Sequence, residues 1–183
     1  MTIYLQNLRR VNMRNIYISI AAAAAFLVLA SCSKEGTARF DGNYTFKTGG
    51  TITVLPKEEP SEGTPAEPQT ISLTAEGGQM DILTVDRKTG DMIVTMNITG
   101  GTVLTFNAVA QGKTLTLAET QRTVKIPVAT DLAKPETRVT VSGFGERFTD
   151  VVIFRLTYEG SYTFLGTEYT IKSSSVDCVA KEN

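Results

Sequence analysis

The feature that most constrains the fold is alternation. From Asn43 almost to the end, apolar and polar residues repeat with a period near two, and Gly-rich turn signals recur every 8–12 residues. Met92, Val94, Met96 and Ile98 fall on one face of a strand, with Thr95 and Asn97 opposite. Leu104, Phe106, Ala108 and Ala110 repeat the pattern against Thr105 and Asn107. No stretch of 11 or more residues after Cys32 shows a helical period. Thr supplies 26 of the residues from Cys32 onward. Its branched Cβ fits a pleated surface better than a helix.

Read in order, the strands are Asn43–Lys47, Thr51–Leu55, Gln69–Ala75, Gln79–Val85, Met92–Ile98, Thr102–Ala110, Thr114–Ala118, Thr123–Val128, Arg138–Ser142, Phe148–Tyr158, Ser161–Leu165, Glu168–Ser173 and a short Val176–Ala180. Thr48-Gly49-Gly50 is expected to turn a hairpin. Asp86–Asp91 is expected to form a loop on a type I turn with Gly90 at positive φ. Residues 129–137 have room for one turn of helix before Pro135. This cadence points to a single all-β antiparallel domain, a barrel in preference to a two-sheet sandwich.

The N-terminus follows another rule. Residues 1–31 hold Arg9, Arg10 and Arg14 but no Asp or Glu, and an apolar run spans Ile16–Ala30. About 20 apolar residues are needed to span a bilayer, so this run reads as a secretory signal. Translation from Met13 would give the same signal in compact form. The run ends at Leu29-Ala30-Ser31-Cys32, which resembles the lipobox of bacterial lipoproteins. The resemblance implies cleavage before Cys32 and acylation of its thiol and new amine. Several acyl chains make a stable anchor where one is marginal. Ser33 after the Cys favours the outer membrane under the sorting rule of Gram-negative lipoproteins. The side of that membrane is left open. Residues 32–40 are then the lipidated Cys and its tether, and 41–183 the β domain. Within it, residues 56–68 hold four Pro and four Glu and read as an exposed loop.

Composition excludes several functions. The 183-residue chain has no His, which removes His-ligated metals, Ser-His-Asp triads and Cys-His dyads. Without its first 31 residues the chain carries 15 basic and 19 acidic residues, the wrong sign for binding nucleic acid. Cys178 has no base to ionise it, and Asp177 beside it opposes ionisation. It reads as a buried structural thiol. No metal site is expected, since Asp86 and Asp91 around one turn are a weak calcium candidate. No cofactor motif is present. The remaining carboxylates are scattered, so a hydrolase using a carboxylate pair ranks last among the readings.

A lipobox and polar tether lead into Phe40-Asp41-Gly42-Asn43-Tyr44-Thr45-Phe46, then Thr-rich hairpins, then Gly160-Ser161-Tyr162-Thr163-Phe164. In style this resembles the small calycin-like or lipocalin-like lipoproteins of Bacteroidota. The resemblance implies a lipid-anchored barrel that binds a lipid or other small molecule, with no established chemistry, and a non-enzymatic role is expected. Met92, Val94, Met96, Leu104, Phe106, Phe154 and Leu156 are the expected inward lining for an apolar or amphipathic ligand. The alternative is a β-sandwich module with a protein partner in the envelope, such as an accessory subunit of a glycan-uptake or adhesion complex.

Overall fold

The computed structural model describes residues 36–57, 66–125 and 136–183. The expected signal segment and lipobox with Cys32, most of the Pro/Glu-rich stretch 56–68 and most of 129–137 lie outside the described residues. Ten strands are described: β1 (Gly42–Lys57), β2 (Gln69–Ser72), β3 (Gly77–Asp86), β4 (Asp91–Ile98), β5 (Thr102–Gln111), β6 (Thr114–Lys125), β7 (Glu136–Phe148), β8 (Val151–Glu159), β9 (Ser161–Phe164) and β10 (Thr167–Glu182). All pair antiparallel. Eight of them close into a barrel in the order β1-β3-β4-β5-β6-β7-β8-β10, and β10 returns to β1. Closure runs from Tyr44↔Glu182 to Lys57↔Glu168. This settles the choice of architecture: the sheet closes on itself as the calycin-like resemblance implies, and the sandwich alternative is set aside.

Alternation builds the barrel wall. On β4 the buried residues are Met92, Val94, Met96 and Ile98, and on β5 they are Leu104, Phe106, Ala108 and Ala110. The Asp86–Asp91 loop turns as expected. Gly90 has φ 85°, and its carbonyl accepts from Ala110 N–H at 2.9 Å.

Several strands are longer than the sequence pattern implies. Thr48-Gly49-Gly50 does not turn a hairpin; β1 runs straight through it. A Cβ on Gly50 would lie 2.1 Å from the Ser175 carbonyl oxygen, so this glycine lets β10 approach instead of reversing the chain. Thr114–Ala118 and Thr123 onward are one strand, β6, and Glu168–Ser173 and Val176–Ala180 are one strand, β10. Conversely, the expected strand Phe148–Tyr158 is interrupted at its start, where Thr149 (φ 54°) and Asp150 turn β7 into β8.

The length of β1 and β10 has a structural use. The first half of β1 pairs with β3 (Gly42↔Ile82 to Lys47↔Gly77), and its second half pairs with β2 (Thr51↔Ser72 to Val54↔Gln69). Likewise β10 pairs with β9 through Thr167–Thr170 and with β8 through Val176–Lys181. The outer halves form a four-stranded extension whose Ile52, Val54, Tyr162 and Ile171 join the barrel's apolar cluster.

The two ends of the barrel differ. Residues 36–40, expected in the tether, form one helical turn that closes one end. Phe40 and Thr37 are fully buried there. Burying a Phe side chain contributes up to about 3 kcal/mol. Tyr44 Oη donates to the Phe40 carbonyl at 2.7 Å. Arg147 donates to the Arg39 carbonyl (2.7 Å), to Tyr44 Oη (2.9 Å), to the Thr149 carbonyl (2.8 Å) and to Glu182. The opposite end, beneath the extension, is where a cleft opens.

Candidate ligand cleft at the open end

The cleft has a volume of about 250 Å³. Leu73, Val124 and Val176 give it apolar walls; Glu76, Arg122 and Tyr158 give it a polar side. Each of these three polar residues reaches the cleft by a local device.

Arg122 faces inward because β6 is bulged. Leu115 and Leu117 point into the barrel, and simple alternation would continue with Gln121 and Thr123. The register slips between Leu117 and Thr120, and the inward positions become Thr120, Arg122 and Val124. A bulge of this kind inserts a residue and exchanges the two faces beyond it. Arg122 then sits opposite Val139, with its side chain only 6% exposed.

A buried guanidinium needs a counter-charge. Glu76 supplies it from the segment joining β2 to β3. Arg122 Nη2 donates to both carboxylate oxygens, at 2.8 and 3.0 Å. Arg122 Nε, also buried, has no acceptor. The Glu76 backbone is tied to β1: Thr48 N–H donates to its carbonyl at 2.7 Å, and its own N–H donates to Thr48 Oγ1 at 3.0 Å. Leu73 N–H likewise donates to the Gly50 carbonyl at 2.9 Å.

Tyr158 is placed where β10 parts from β8. Its N–H donates to Ser174 Oγ at 3.0 Å in place of a ladder carbonyl, and the side chain turns inward opposite Val141. Burial pushes its phenol above the usual tyrosine range, against the downward pull of Arg122. The hydroxyl therefore stays protonated beside the guanidinium.

The expected lining residues occupy another part of the interior. Met92, Val94, Met96, Leu104, Phe106, Phe154 and Leu156 all point inward and are at most 5% exposed. None bounds the cleft. They form one packed cluster with Tyr44, Phe46, Met80 and Ile82. Among the described tyrosines, Tyr44, Tyr158 and Tyr162 are buried, and Tyr162 stacks on Tyr169 with ring centroids 5.1 Å apart. Asp86 accepts from the Lys88 N–H and Asp91 from the Thr89 hydroxyl, so each is used within its own turn. Cys178 is free and fully buried; burial foremost, then the charge of Glu76, raises its thiol to about 12.

Alternation reveals nothing of the Arg122–Glu76 pair. The one trace in the sequence is the break in the strand pattern at Glu119-Thr120-Gln121-Arg122, which coincides with the bulge.

No family model and no curated protein matches the chain. Among solved structures, it is similar to that of EF1p2_mFAP2b bound to DFHBI, with 10% identity over 83% of this chain and 99% of that one and a TM-score of 0.44.

Proposed function

We propose that the chain is a lipid-anchored protein of the bacterial outer membrane whose barrel binds a small amphipathic ligand at its open end. The observation that carries the binding reading is the cleft itself. It places a half-buried ion pair and a protonated tyrosine against apolar walls, at the end left free by the helical turn. Ligand sites combine these features: an apolar enclosure and a few convergent polar groups. The role is binding, not catalysis. The only described thiol is held protonated, since its value of about 12 lies far above neutral pH. Anchoring rests on the lipobox and on Cys32 four residues before the helical turn.

Binding is tested by incubating the purified protein with a lipid extract and recording native mass spectra. A bound small molecule in a defined ratio is expected; a bare protein mass across the series would refute the reading. Anchoring is tested with radioactive palmitate. The wild-type protein should take up label and Cys32→Ser should not. Equal labelling of the two would rule out Cys32 as the acceptor.

A further inference from the structure

We infer that the ligand's head group is a carboxylate, and that it binds by replacing Glu76 on Arg122. The inference rests on the cleft being a ligand site and names what that site selects.

Arg122 is the fixed member of the pair. It projects from the barrel wall and is almost fully enclosed, whereas the Glu76 side chain is 31% exposed and lies between two strands. The bonding between them is incomplete. A guanidinium matches a carboxylate best with two nitrogens giving two parallel bonds. Here Nη2 alone serves both Glu76 oxygens, and Nε is buried without an acceptor. An incoming carboxylate can use the nitrogen that Glu76 leaves idle.

Departure of Glu76 without replacement would strand a buried cation, which proteins do not tolerate cheaply. The exchange must therefore be anion for anion, and this discriminates against neutral and cationic heads. Tyr158, bordering the same cleft, presents a protonated hydroxyl as a further donor. Leu73, Val124 and Val176 offer the chain an apolar wall. A cleft of about 250 Å³ suits a short chain. The ligand class is a short-chain monocarboxylate amphiphile, with Glu76 as a resident stand-in for its head.

The test uses the full chain in lipid nanodiscs, with octanoate, octanol and octylammonium as probes. Binding is read from the Arg122 Nε–H resonance and the methyl resonances of Leu73, Val124 and Val176. Octanoate should bind at least tenfold more tightly than octanol or octylammonium and should shift the Nε–H resonance. Glu76→Gln, which removes the resident competitor, should tighten octanoate about tenfold and change octanol by far less. Arg122→Gln should abolish the preference for octanoate. The wild-type comparison of probes needs no variant to fold. If all three probes move the methyl resonances with equal affinity, the carboxylate assignment is wrong and the cleft is still a ligand site. If none of them moves any methyl resonance, the cleft reading falls, and the head-group assignment with it.

Discussion

The Tyr44 hydroxyl donates to the Phe40 carbonyl at 2.7 Å and accepts from Arg147 at 2.9 Å, so one buried phenol fastens the helical turn to the barrel. Tyr44→Phe keeps the ring and removes both bonds. A buried carbonyl and a guanidinium donor are then left without this partner. We expect a loss of about 1–3 kcal/mol in urea unfolding. Arg147→Met breaks three further contacts and should cost at least as much as Tyr44→Phe. The double variant should lose less than the sum, because the two residues share a bond.

Glycines in the wall are expected to be sensitive for different reasons. A Cβ on Gly145 would lie 2.6 Å from the Phe154 ring, and a Cβ on Gly50 would lie 2.1 Å from a backbone oxygen of Ser175. A ring can shift, but a paired strand cannot without losing its ladder. Gly145→Ala should cost about 1–3 kcal/mol by thermal or urea unfolding. Gly50→Ala should cost more, and the larger effect should appear as lost amide protection along Thr51–Leu55 and Ile171–Val176.

The packed cluster makes a separate claim about Phe106 and Met96. Both are almost fully buried and neither bounds the cleft. Phe106→Ala should cost about 3–5 kcal/mol and Met96→Ala about 2–5 kcal/mol, as core truncations do. Substitutions that cost under about 1 kcal/mol would show that these side chains line an open space and not a packed core.

Much of the barrel was legible in the sequence because alternation survives wherever a strand has one wet face. The faces of β4 and β5 follow directly from Met92–Ile98 and Thr102–Ala110. The errors arise where one local signal serves two purposes. Gly49-Gly50 reads as a turn, yet its lack of side chains is used for strand approach. Residues 36–40 are short and polar enough to read as tether, and only the burial of Phe40 shows that they close the barrel. The cleft was the least legible part. Arg122 faces inward through a bulge, and its partner Glu76 lies 46 residues away in sequence. Alternation carries no information on either. The seven apolar residues expected to line a ligand are buried, but a period of two cannot distinguish packed core from cavity wall.

Cys178 connects burial to pH. Its folded value of about 12 lies above the ordinary 9.0, so the unfolded chain gives up this proton first as pH rises. The thiol's contribution is therefore fully present below pH 9 and is lost as pH climbs from 9 towards about 12, with a slope of at most about 1.4 kcal/mol per pH unit. Cys178→Ala should show a shallower decline of stability over that window. In the native protein at pH 8, a thiol reagent should label Cys178 only as fast as the barrel unfolds.

The most direct test of the central claim is where a bound amphiphile touches the protein. Nuclear Overhauser contacts between the ligand chain and the methyl groups of a labelled sample would report this. The account predicts contacts to Leu73, Val124 and Val176 at the open end, and none to Met92, Met96 or Leu104. Contacts to that second group, or to outward-facing methyls alone, would contradict it.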